Sequence, residues 1–160
     1  MFKKIAFAAP LAVLALSSSM AFAATEAKHS INIIAHVPTD DFYAVPVDAD
    51  LVNKDQDMSY NPSTGLMRTV DGHFDVLHTA GKVHARLESA PKLISGNKTI
   101  DLKVELNGKE LTTTSQEVVG KDESNVRYRA PFKISAKGNK FDAGDYTGVV
   151  TLSIEAVPAA

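Results

Sequence analysis

Five histidines and a run of carboxylates are the residues in this 160-residue chain whose types most readily do chemistry. The imidazoles are His29, His36, His73, His78 and His84. They could ligate zinc if several converged on one face. His73 and His78 stand five apart, so on one continuous strand they face opposite ways. No metal site is expected, and exposed strand and loop histidines are the ordinary reading. The carboxylates gather at Asp40-Asp41 and from Asp48 to Asp57. Such clusters can hold calcium or serve as a glycosidase pair, but the simpler reading is a solvated loop. A hydrolase needs a nucleophile, a base and an orienting group. There is no G-x-S-x-G motif, and the absence of cysteine removes thiol nucleophiles, disulfides and cysteine-ligated metals. Asn97-Lys98-Thr99 fits the N-x-T pattern, a three-residue match that carries no weight by itself. No catalytic residue, cofactor or enzyme activity is expected.

The remaining chemistry is that of the main chain: strands that pair with other strands. The chain has 44% hydrophobic and 22% charged residues and a formal net charge of -2. That suits one globular domain and lacks the basic excess of a nucleic-acid binder. The first 23 residues read as an export signal. Lys3 and Lys4 form a charged start, Ile5 to Leu16 an apolar run, and Ala21-Phe22-Ala23 a small-residue cleavage site. The run is too short to span a bilayer, which takes roughly 20 residues. Cleavage is expected after Ala23. The remaining chain then carries 15 Lys and Arg against 19 acids, a net charge of -4.

After residue 24 no segment shows a helical period, whereas alternation with period two recurs. Ile100, Leu102, Val104 and Leu106 alternate with Asp101, Lys103 and Glu105, and Asn107-Gly108 follows as a type I′ hairpin signal. Val76 to His78 and Val83 to Leu87 alternate around Ala80-Gly81-Lys82. Val126 to Ala136 reads as a strand interrupted at Pro131. Val150, Leu152, Ile154 and Ala156 share one face of a final strand. Loops are marked at 61–65, 95–97 and 137–140, and the polar stretch Thr112 to Asn125 reads as a long connection. Short alternating strands between regular turns indicate an all-β immunoglobulin-like sandwich, with a small barrel as the competing topology.

One strand stands apart. Ile31, Ile33, Ala35 and Val37 share a parity, with Asn32 and His36 opposite, and Pro38 ends the run. It follows a polar segment, residues 24–30. Such a strand can pair within its own domain, as in a monomeric exported binding module. It can also complete another copy that lacks a strand, its backbone extending the sheet and its same-parity side chains entering the core. Ile31, Ile33 and Val37 would each contribute about 1.5–3 kcal/mol on full burial. A one-residue slip would turn Asn32 and His36 inward, so the register is strongly specified.

Two segments carry a family resemblance. Ile31 to Pro38 resembles the N-terminal donor strand of the class 5 enterobacterial fimbriae. These are the colonization factor antigen type, or alpha-fimbriae, of the alternate chaperone–usher pathway, a group that includes the cable-pilus major subunit. Ala143-Gly144-Asp145-Tyr146-Thr147-Gly148-Val149-Val150-Thr151-Leu152 is similar to that family's closing A-G-x-Y-x-G-x-V-x-L pattern. The sequence departs in one place: the family often has one more residue before the proline. The resemblance implies a signal peptide over 1–23, a donor extension over 24–38, and a sandwich over 39–160 that lacks a strand until a donor supplies it. It further implies a major pilin that polymerises with copies of itself, a periplasmic chaperone, an outer-membrane usher, a minor tip adhesin, and a fimbria on the cell surface. Gly144, Tyr146, Gly148, Val150, Leu152 and Ile154 then form the closing motif and groove-side strand. Tyr146 also sits where immunoglobulin-type sandwiches carry a tyrosine corner.

Overall fold

A computed structural model describes residues 41–158. The strands are Phe42–Pro46 (β1), Tyr60–Asn61 (β2), Leu66–Met67 (β3), Val70–His78 (β4), Gly81–Leu87 (β5), Lys92–Ser95 (β6), Lys98–Leu106 (β7), Lys109–Glu110 (β8), Gln116–Val119 (β9), Tyr128–Ala136 (β10) and Leu152–Pro158 (β11). Two single-turn helices, Asp50–Asn53 (α1) and Lys121–Ser124 (α2), complete the list. The larger sheet has the order β1-β4-β10-β7-β6, with β8 on β7. The smaller has the order β11-β5-β9, and β2 pairs with β3 apart from both. All pairings are antiparallel. Consecutive β4 and β5 belong to different sheets, so the turn between them crosses the sandwich rather than closing a hairpin.

The core follows from the alternation. Ile100, Leu102, Val104 and Leu106 of β7 point inward with Val76 and Phe74 of β4, Val83, Ala85 and Leu87 of β5, and Ala130 and Phe132 of β10. Phe74 and Phe132 meet edge to face at 5.4 Å, an arrangement the aromatic quadrupoles favour. At the β7–β8 turn Asn107 has φ 53° and Gly108 φ 74°, the two positive values a type I′ turn demands. The Asn107 side chain is used as well: its Nδ2 donates to Val118 O at 2.8 Å and its Oδ1 accepts from Tyr128 Oη at 3.1 Å. Pro131 lies inside a central strand, where a missing N–H is normally costly. Its carbonyl accepts from the Asn107 N–H at 2.8 Å. The absent donor therefore faces the same turn, beyond the last β10–β7 rung at Phe132↔Leu106. Val126 lies outside the strand and is exposed.

Three sequence expectations change. Residues 112–125 are not only a connection: they contain β9 and α2. The β5–β9 register shifts between Val83 and His84, so β9 bulges. The bulge allows consecutive Val118 and Val119 both to be buried, which breaks the expected alternation. The acidic stretch contains α1, and a strand, β1, lies directly before it. His78 is buried rather than exposed. Its Nδ1 lies 2.9 Å from Lys82 O, and its ring stands edge-on to Phe42. His73, five residues earlier on the same strand, faces solvent.

On the outer face, Arg129 lies directly across from Asp75 and grips it with two hydrogen bonds, Nε–Oδ1 at 2.8 Å and Nη2–Oδ2 at 3.1 Å. The Arg129 hydrogen bonds hold the Asp75 carboxyl below its ordinary range. A depressed carboxyl adds stability above its unfolded pKa, about 3.9, and loses it as pH falls through the lower folded value. Arg129→Ala should therefore destabilise at neutral pH, and the deficit should shrink on acidification. Thermal melts of parent and variant from about pH 7 to about pH 3 check this. A constant gap would show that the pair does not act through Asp75.

Candidate functional site

The site is an edge and the floor beside it. β11 pairs with β5 along its whole length, Leu152↔Leu87 to Pro158↔Gly81. Its other side has no partner strand among the described residues. In an immunoglobulin-like sandwich a further strand pairs at this position. An edge of this length presents a row of N–H and C=O groups ready to accept one. On the outer face β11 is tied to β5 by Arg86, whose Nε donates to Glu155 Oε1 at 3.0 Å. That hydrogen bond lowers the Glu155 carboxyl pKa and raises that of Arg86.

Most core residues on β4, β5, β7 and β10 are buried, as are Val118 and Val119 of β9. Val150, Leu152 and Ile154, together with Phe42 and Ala44 of β1, only half-bury against the same core. An apolar hollow of about 210 Å³ opens where β11 begins, lined by Leu51, Val70, Phe74, Phe132, Val150 and Leu152 among others. A neighbouring hollow of about 270 Å³ shares Leu51, Val70, Ile134 and Val150 and extends to Leu93, Leu102, Gly148 and Val149. Leu51 is positioned by α1, whose first turn is held by the Asp48 carboxylate accepting from the Asp50 N–H at 2.9 Å. An apolar strand laid along β11 would find backbone partners at the edge and an apolar floor beneath it. Each large side chain it buried would contribute about 1.5–3 kcal/mol.

The segment leading into β11 runs beside β6. Ile94 and Thr147 exchange backbone hydrogen bonds at 2.8 and 3.1 Å. Gly144 and Gly148 do not have positive φ; both are glycine because the neighbours are close. A Cβ on Gly148 would overlap the Lys92 carbonyl oxygen, and one on Gly144 would come within 2.8 Å of Ser95 Oγ. The half-buried Tyr146 donates its hydroxyl to Asp142 O, four residues upstream, at 3.0 Å, the kind of bond a tyrosine corner makes.

The structure thus brings Gly144, Tyr146 and Gly148 together on one closing segment and places Val150, Leu152 and Ile154 on the half-covered inner face. Ile31, Ile33, Ala35, Val37 and Pro38, like the cleavage residue Ala23, lie outside the described residues. Sequence reasoning missed the floor contributed by Leu51, Val70 and Phe74. Phe132 and Ile134 were visible as strand residues, but no local signal marks them as lining a site. Among the described residues no three His, Asp or Glu side chains gather as metal ligands.

Solved structures share this architecture. The CooA pilin subunit from enterotoxigenic Escherichia coli superposes with a TM-score of 0.53 at 20% identity, over 70% of this chain and 86% of that one. A chain from a chaperone–tip adhesin complex described for activation of CFA/I fimbriae biogenesis also gives 0.53, at 13% identity, over 75% of this chain and 43% of that one. No curated protein matches the sequence. Residues 27–155 match the family described as CS1 type fimbrial major subunit. That match covers most of the chain: the chain belongs to the CS1 type fimbrial major subunits, the structural pilins of fimbriae.

Proposed function

We propose that the subunit polymerises by donating Ile31–Val37 to the β11 edge of the next copy. The observation that carries this reading is the unpartnered β11 edge above an apolar floor. The donor set Ile31, Ile33, Ala35 and Val37 has the parity such a floor takes, and Pro38 ends the strand where it must leave the groove. Transfer from copy to copy is head to tail and does not close, so it yields a filament. No covalent step and no cofactor is involved. Residues 1–23 direct export and are removed after Ala23, and 39–160 form the accepting sandwich. An open apolar edge must be shielded before assembly, which is the work of a periplasmic chaperone. An outer-membrane usher then exchanges the chaperone for the next donor strand, and a minor tip adhesin ends the fibre on the cell surface.

Parity gives the test. Ile33→Asp places a carboxylate in the apolar floor without a partner, which is far costlier than the lost burial alone. Asn32→Asp changes a side chain that faces away. Cells producing Ile33→Asp should show no surface fibres by electron microscopy, whereas Asn32→Asp should assemble normally. Equal assembly by both would overturn the exchange reading. It would leave a monomeric module whose first strand pairs within its own domain.

A further inference from the structure

The described surface has a second unexplained feature: large apolar side chains at opposite ends of the sandwich. At the end where β4 begins, Val149 is 80% exposed and Val52 60%, both on the rim of the hollows beside β11. At the other end, Val126 is 64% exposed. The β10–β4 register, Tyr128↔Val76, carries Val126 level with the close of β4, next to exposed Thr79 and Ala80. β4 has nine residues, so the two ends stand about 27 Å apart at roughly 3.4 Å per residue.

We infer that these two ends meet between successive subunits, the Val52–Val149 rim of one against the Thr79–Ala80–Val126 end of the next. The inference rests on the strand-exchange reading, and the reach of the chain supplies the argument. Val37 and Phe42 are five residues apart, a span of at most about 18 Å. Wherever Val37 sits in a groove, the body of the subunit that donates it lies just outside. Just before β1, Asp41 is fixed to Thr79 by hydrogen bonds from the Thr79 N–H at 3.0 Å and Oγ1 at 3.3 Å. The face that body turns toward its neighbour is therefore the end holding Thr79 and Ala80. The groove has two mouths. At the Pro158 mouth the neighbours are Gly81 and the polar α2, with Lys121, Asp122 and Glu123. At the Leu152 mouth stand Val52 and Val149. Covering apolar surface is favourable, and patches of this kind mark interaction sites. Val126 lies near the Pro158 mouth, so direction decides: a donor antiparallel to β11, as every described pairing is, ends at the Leu152 mouth, and that is the one the next body covers. The contact uses different surfaces on its two sides, as an open filament requires.

The absence of cysteine makes the test direct. Val149→Cys with Ala80→Cys, and separately Val52→Cys with Val126→Cys, would be introduced into the full chain and fibres grown on cells. Treatment of intact fibres with a short bifunctional thiol reagent should give a ladder of covalent multimers from at least one pair, and none from either single variant. Fibres that assemble but give no ladder from either pair overturn the contact. So does a cross-linked dimer from co-expressed Pro158→Cys and Ala80→Cys subunits, each carrying one cysteine, which puts the next body at the other mouth. Val126→Asp, away from both hollows, separates the contact from the groove. Uptake of a residue 24–38 peptide by chaperone-bound subunits should be unchanged, while fibres should shear at least several-fold more readily. Loss of peptide uptake would make Val126 part of the groove and overturn the assignment. Fibres that persist in Ile33→Asp would instead sink strand exchange itself.

Discussion

Moving residues 24–38 from the front of the domain to a position behind Ala160, through a short flexible linker, should yield a stable monomer. Deleting the same residues should leave a subunit that aggregates. The relocated segment can reach the free edge of β11 in its own domain, bury Ile31, Ile33 and Val37, and end the demand for a partner. Each of the three contributes about 1.5–3 kcal/mol before the cost of ordering the strand. Unfolding must also extract a strand packed between two sheets, so the gain is kinetic as well as thermodynamic. A net gain of a few kcal/mol corresponds to a rise of at least about 10 °C in Tm for a domain of this size. Size-exclusion chromatography and thermal melts of the two proteins decide the matter. If the deletion variant is monomeric with a sharp transition, the edge needs no donor.

The second large effect is expected at Gly148. Replacing glycine by alanine where the backbone allows it usually stabilises by about 0.4–1 kcal/mol, because the unfolded chain loses freedom. Gly148 has no left-handed φ, so conformation alone would predict that gain. The structure reverses the sign. The new methyl would overlap the Lys92 carbonyl oxygen and lie 3.0 Å from Leu93 Cδ2. A main-chain oxygen in a paired strand cannot swing aside, so β6 or the closing segment must shift. Overpacking of this kind costs about 1–3 kcal/mol or more, and the shift displaces Val149 and Val150 at the mouth of the groove. Gly144→Ala is the control, since its nearest atom is Ser95 Oγ, a hydroxyl that can rotate. In the relocated-strand monomer, Gly148→Ala should lower Tm clearly more than Gly144→Ala. Equal melting temperatures would mean that the closing segment is not held as tightly as the packing indicates.

These outcomes depend on features that differ in how visible they are in the sequence. β7 and its turn are fully legible, because both strand faces and both turn residues obey local rules from Ile100 to Gly108. β11 is legible from Leu152 to Ile154, although Ala156 is exposed. β9 is hidden, since its bulge puts two buried valines in a row behind two polar residues. β1 is hidden by Pro46 and the acids on either side, and α1 is too short to show a helical period. The N-terminal part of β4 is hidden too, because Asp71, Gly72 and His73 interrupt the apolar pattern. The site shows the same division. Leu152 and Ile154 can be read from one strand, and Val150 keeps their parity although β11 starts only at Leu152, whereas Leu51, Val70, Phe74 and Phe132 become neighbours only when the two sheets are stacked.

The bridge between Ile94 and Thr147 has a consequence for the shape of what these subunits build. It lies on the outer side of β6, at the far margin of the larger sheet from β1. A sheet margin occupied by the chain's own closing segment offers little to a passing strand. On the proposed reading, with β11 as the acceptor and one donor segment per subunit, each copy has a valency of two. Units of valency two join into unbranched lines, and the length of such a line is set by supply and termination rather than by lateral sticking. A lesion that frees Thr147 from Ile94 would raise that valency, and the product would change from thread to tangle.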